Sequence, residues 1–132
     1  MNKIIQLTDK DNNNIYPIAY AQSGVKIEKL WENPNMTASF SPQTIALDLS
    51  DYEFIIVRFQ TCNSANSSYV TELTKVDGKK CNFTAIASQV NTNIYSRSFI
   101  PTSTGIQFYD GYVGGTVANL DARPYQVYGV KR

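Results

Sequence analysis

The chain has no histidine, and its 132 residues include only two cysteines. Without imidazole there is no Ser–His or Cys–His nucleophile pair and no histidine general base. Cys62 and Cys81 are not at metal-ligand spacing, and no histidine is present to complete a mixed site. In a strand map Cys62 ends one strand and Cys81 opens the next but one, so two separate thiols are expected, as suits a reducing compartment. Charge is also scarce: 17% of residues are charged, with 12 basic against 11 acidic. That balance steers the chain toward neither nucleic acid nor an anionic membrane. No apolar run is long enough to cross a bilayer. No apolar core with a small-residue cleavage site follows Met1, so no signal peptide is expected. Phosphate and dinucleotide loops are missing too, since Gly111-Tyr112-Val113-Gly114-Gly115 lacks the lysine and the strand–helix setting.

What is present is β-forming. The organising stretch is Asp51 to Gln60, where Phe54-Ile55-Ile56-Val57 is unbroken and Phe59 follows. An unbroken apolar run predicts a central strand buried on both faces. Upstream, Ile45, Leu47 and Leu49 share one face, and Ser50-Asp51 marks a turn. Strand patterns recur at Val25–Trp31, Tyr69–Val76, Lys80–Ser88, Ile94–Ile100, Gly105–Tyr112 and Pro124–Arg132. Asp77-Gly78 is the strongest hairpin signal and predicts pairing of the strands on either side. Pro101–Thr104 predicts a second hairpin. No stretch has a helical period. Eight or nine short strands with regular turns predict an all-β, antiparallel β-sandwich or jelly roll over residues 25–132.

Residues 1–24 read as a separate arm. Lys3–Thr8 and Ile15–Ile18 flank an Asx-rich turn, and Pro17 interrupts the return strand. The turn Asp9-Lys10-Asp11-Asn12-Asn13 starts like a calcium loop, but it lacks the glycine and the closing glutamate, so no metal is expected. A hairpin this small has no core of its own. It must pack on the main domain or on another subunit.

Eleven acids could supply a carboxylate pair, yet no spacing selects one, so the chain is expected to be non-enzymatic and to need no cofactor. The recognition candidate is Tyr109-Asp110-Gly111-Tyr112, with Tyr109 and Tyr112 read as sharing a strand face. Tyr95 and Arg97 fall on the partner strand opposite. Such a cluster suits a glycan surface or a polar face within a subunit interface. Trp31, the only tryptophan, either stacks on a sugar or ends a strand in the core.

Three blocks together resemble bacteriophage virion appendage proteins of Gram-positive hosts. Asp9 to Ile18 resembles an element of tail and head fibre chains. Leu30-Trp31-Glu32-Asn33-Pro34-Asn35, continuing through Gln43 to Tyr52, resembles the opening of their C-terminal β-sandwich domains. Tyr125-Gln126-Val127-Tyr128-Gly129-Val130-Lys131 is similar to their closing strand. The resemblance implies a fibre, tail-tip, baseplate or capsid appendage, assembled in the bacterial cytoplasm and carried on the virion. It implies a homotrimer that contacts other virion proteins and attaches to a host-surface carbohydrate.

Overall fold

A computed structural model describes residues 24–62, 67–86 and 93–131. The arm of residues 1–24, with its Asx turn, lies outside the described residues apart from Gly24. Among them the strands are β1 (Lys26–Glu32), β2 (Gln43–Ala46), β3 (Phe54–Gln60), β4 (Tyr69–Lys75), β5 (Cys81–Ile86), β6 (Ile94–Thr102), β7 (Gly105–Val113), β8 (Thr116–Val117) and β9 (Arg123–Lys131). They form two antiparallel sheets packed as a sandwich, as the turn-punctuated sequence predicts. One sheet runs β1-β9-β3-β4; the other runs β2-β7-β6-β5, with β8 attached to β7. Consecutive strands β1, β2 and β3 change sheet at each step, and the Ser50-Asp51 turn delivers the chain to β3.

The core lies between the inner faces. Ile55, Val57 and Phe59 of β3 meet Phe83, Phe99, Ile106 and Phe108 of the opposite sheet, all essentially inaccessible. Phe59 stacks on Phe83 with centroids 4.4 Å apart, and Phe40 meets Phe108 edge-on at 5.4 Å. These are the offset and T-shaped arrangements that aromatic quadrupoles favour.

Two expectations are corrected. β3 is central, between β9 and β4, but only alternate side chains are buried. Phe54, Ile56, Arg58 and Gln60 lie half-exposed on the outer face. An unbroken apolar run signals burial on both faces only when something covers the second one. The Asp77-Gly78 turn also forms, with Gly78 at φ 73°, yet β4 and β5 do not pair. They belong to different sheets, and the turn is a corner at the sandwich edge. Gly78 N–H donates to the Pro101 carbonyl of the second sheet at 2.9 Å, and Thr74 Oγ1 meets Cys81 Sγ at 2.8 Å. A left-handed glycine sets local chain reversal, and the inward faces of Val70 and Phe83 decide which sheet each strand joins. The Pro101–Thr104 signal does give a paired hairpin, β6 with β7, although both strands extend further and the loop shrinks to Ser103-Thr104. Cys62 and Cys81 are not joined in a disulfide.

One edge of the first sheet carries a lock. The Tyr52 hydroxyl donates to Glu28 Oε2 at 2.5 Å, and Lys26 Nζ lies 2.7 Å from Glu28 Oε1. The Tyr52 ring packs so closely on Gly129 that a Cβ there would sit 2.4 Å from it. Lys26, then Tyr52, hold the Glu28 carboxyl down at about 2, from an ordinary value of 4.5. A carboxylate depressed on folding stabilises above its unfolded value, and that contribution is lost as pH falls through its folded value. Stability from Glu28 is therefore fully present above about pH 5 and is lost toward pH 2. Thermal melts from pH 6 to 2 are expected to show a shallower acid decline in Tyr52→Phe and Glu28→Gln than in the wild type. Parallel declines in all three would contradict this account.

Candidate functional site

The residues singled out by sequence fall into two unlike groups. Tyr95 and Arg97 are buried, not part of any surface. β6 alternates, so Tyr95, Arg97 and Phe99 point into the sandwich while Ser96 and Ser98 point out. Their place in a recognition face is thus corrected by the parity of their strand.

Arg97 instead fastens one end of the sandwich. Its Nε donates to the Ala122 carbonyl at 2.7 Å. Nη1 donates to the carbonyls of Phe40 at 2.9 Å and Tyr109 at 2.6 Å, and Nη2 donates to that of Asp121 at 3.2 Å. The guanidinium carbon also lies 5.3 Å from the centre of the Phe40 ring. Burial lowers its pKa to about 10, opposed by the nearby Asp110 carboxylate, so it remains cationic at neutral pH. Ala122 sits at φ 47°, a left-handed conformation that costs an L-residue energy and persists where its surroundings fix it. Here the fixing groups are the Arg97 bond to its carbonyl and the bond from its own N–H to the Thr61 carbonyl at 2.8 Å. A second buried arginine, Arg123, donates to the Met36 carbonyl and to Gln60 Oε1. Together the two arginines tie the 33–42 and 118–122 loops to the strands.

Tyr109 and Tyr112 do lie on the outer face of the second sheet. Three positions apart in a regular strand they would point opposite ways. Between the pairs Phe99↔Phe108 and Arg97↔Gly111, β7 uses one residue more than β6. This bulge sets Tyr109 and Asp110 together against Ser98 and restores Tyr112 to the same face. Lys80 Nζ stands 4.4 Å from the Tyr109 ring centre, and Asp110 accepts from Asn119 Nδ2 at 2.9 Å. The Tyr109 ring therefore has a cationic neighbour on this face.

Trp31 lines a concave site. A bulge between Lys29 and Trp31 flips the parity of β1 and turns the indole toward the interior, opposite Val127. The ring is half-buried and meets Phe40 edge-on at 6.2 Å. Between the edges of β1 and β2 this leaves a groove of about 230 Å³, with Trp31, Phe40 and Ile45 as its apolar wall and Asn33, Asn35 and Gln43 as its polar rim. Asn33 donates to the Pro124 carbonyl at 2.9 Å and accepts from Asn35 N–H at 2.9 Å, which fixes the rim. Asn35 Oδ1 accepts from Thr37. Asn35 Nδ2 and Gln43 Oε1 have no partner among the described residues, leaving one donor and one acceptor beside an aromatic wall.

One cluster had escaped the sequence reading. On the outer face of the first sheet the Tyr69 and Tyr125 rings lie 4.8 Å apart. Arg58 stacks over both, at 5.3 and 5.5 Å, and donates to Gln126 Oε1 at 3.0 Å. The three residues are far apart in sequence. They meet because β9 bulges at Tyr125, between the pairs Arg58↔Gln126 and Phe59↔Pro124. Alternation within Phe54–Gln60 would have placed Arg58 outward, but nothing in the sequence names its strand partners.

Among the described residues no group of acids and cysteines is placed to hold a metal ion. Compared with protein families, curated proteins and solved structures, the chain finds no match.

Proposed function

We propose that this chain is a non-enzymatic attachment module of a bacteriophage virion, a fibre, tail-tip or capsid appendage that assembles as a homotrimer and contacts host-surface carbohydrate. The virion context and the trimer rest on the resemblance of the blocks at Asp9–Ile18, Leu30–Tyr52 and Tyr125–Lys131. The observation that carries the binding half is the Trp31 groove. An indole wall beside free amide groups offers a pyranose what it needs: an apolar surface for its C–H face and planar donors and acceptors for its hydroxyls.

Two measurements test this reading. Mass in solution by light scattering should correspond to three chains. Binding of the purified protein to host cells or their isolated wall glycan should fall at least about tenfold in Trp31→Ala, the roughly 1.4 kcal/mol or more expected from one lost stacking ring. Tyr109→Ala/Tyr112→Ala should bind as the wild type. If the tyrosine pair abolishes binding and Trp31→Ala does not, the recognition face is the second sheet. A single-chain mass with intact glycan binding would make this a monomeric carbohydrate-binding module. Particle association without any host binding would make it a capsid decoration protein.

A further inference from the structure

The Arg58 cluster draws on three strands and is held from beneath. Across one row of the outer face, the registers set Glu32 of β1, Gln126 of β9, Arg58 of β3 and Thr71 of β4 side by side. Gln126 is only 7% exposed, and both ends of its amide are engaged. Its Oε1 accepts from Arg58 Nη1 at 3.0 Å and from the Tyr128 hydroxyl at 2.9 Å, while its Nε2 donates to Glu32 Oε1 at 2.6 Å. Lys29 Nζ lies 3.5 Å from the same Glu32 oxygen. One edge of the Arg58 guanidinium is thus fixed by a buried amide that is itself fixed. Beside this row, Tyr69 of β4 and Tyr125 of β9 lean toward each other across β3. Their strands are two spacings apart, about 9.6 Å, yet their ring centres are 4.8 Å apart. Gln60, which separates them on β3, is bonded to Arg123 Nη2 at 2.6 Å and to Ser67 Oγ at 3.1 Å. Tyr69 is 50% exposed, and Arg58 and Tyr125 are half-buried, so the cluster opens to solvent.

We propose that Arg58, Tyr69 and Tyr125 bind an anionic saccharide, a sugar ring that carries one carboxylate or phosphate group. Among the described residues the partners of Arg58 are an amide and two rings, not a carboxylate. A planar fork of N–H donors matches carboxylate and phosphate oxygens in pairs. Because Gln126 and the two rings already orient the guanidinium, little side-chain freedom is lost when it binds. The tyrosines add an apolar surface for the C–H face of a sugar and hydroxyls for its polar edge. Charge decides the kind of anion. Glu32 stands in the same row, two strands from Arg58, and repels a ligand of densely repeated negative charge. A single anionic group placed on Arg58 avoids it. This site is separate from the Trp31 groove and depends neither on that groove nor on the virion reading.

The test titrates the full chain with three probes that share one ring: glucuronate, a glucose monophosphate and glucose itself. Amide shifts are expected around Arg58, Tyr69, Tyr125 and Gln126 with an anionic sugar and not with glucose. Binding of both anionic sugars assigns the site to either group; binding of one alone names it. Arg58→Gln, on the outer face and checked for folding by circular dichroism, should weaken binding at least about tenfold through loss of the charged, paired contact. Arg58→Lys keeps the charge and the stem and serves if Arg58→Gln does not fold. It too should bind more weakly, because an ammonium cannot make the paired contact. Tyr69→Ala should weaken binding, and Trp31→Ala should leave it unchanged. Equal binding of glucose, or wild-type affinity in both Arg58 variants, overturns the proposal. Acetate or inorganic phosphate binding as tightly as the sugars overturns its saccharide half. Binding lost in Trp31→Ala and kept in Arg58→Gln overturns it too, and places the acidic sugar in the Trp31 groove.

Discussion

Arg97→Met is expected to cost the fold about 4 kcal/mol or more, although it keeps most of the side-chain stem. The loss comes from the head group. Four carbonyls, on Phe40, Tyr109, Asp121 and Ala122, accept from one buried guanidinium. A hydrogen bond from a charged donor contributes about 1.5–3 kcal/mol, and a buried acceptor left without a partner carries a further desolvation penalty. The four bonds share a donor and so do not add, which keeps the expected total well below their sum. With a urea slope of about 2 kcal/mol per molar, the midpoint should move by about 2 M. Arg97→Lys should recover only part of this, because an ammonium presents its donors from one point and cannot reach carbonyls spread around a planar fork. A shift under about 0.5 M in Arg97→Met would mean that water replaces the guanidinium at these carbonyls. Arg97 would then not hold the end of the sandwich.

This arginine shows where sequence reading stops. Ser96-Arg97-Ser98 looks like a solvated strand, and a charge on an aromatic-rich hairpin invites a binding role. What buries Arg97 is an arrangement of loop carbonyls up to 57 positions away, which no local pattern encodes. The same limit explains the bulges. At Leu30, at Tyr109-Asp110 and at Tyr125 one strand carries a residue more than its partner. Bulges exist only relative to a partner strand, so alternation counted along one segment assigns the wrong face beyond each of them. Period-two patterning and turn residues were sufficient for the longer strands and for the all-β class, but no pattern marked the short β8 at Thr116–Val117. The Trp31 groove was legible only in part. The tryptophan stood out by its uniqueness, but its wall of Phe40 and Ile45 comes from the opposite edge.

Gly105→Ala is the other substitution expected to be severe, at about 2–4 kcal/mol, and its cause is separable. Gly105 opens β7 at φ +155°, directly opposite Ala46 of β2. A Cβ at this position would stand 2.3 Å from the Ile45 carbonyl oxygen and 3.2 Å from the Ala46 Cα. Both are backbone atoms of the paired strand, so no side chain can swing aside. Either β2 is pushed off the sheet edge or the hairpin opens. Overpacking against rigid neighbours costs about 1–3 kcal/mol, and an unfavourable backbone conformation adds about 1–2. Gly78 and Gly114 supply the control. They sit at φ 73° and 55° with nothing within 4 Å of a would-be Cβ, so alanine there incurs the dihedral cost alone, about 1 kcal/mol. Urea titrations of the three variants should therefore rank Gly105→Ala well apart from the other two. Amide exchange should locate the damage, with protection lost first at Thr44 to Ala46 and kept at Val57 and Phe59. Equal losses for all three would show that β2 yields freely. The edge of the second sheet beside the Trp31 groove would then be a soft wall, and Gln43 and Ile45 could not hold a ligand in one geometry.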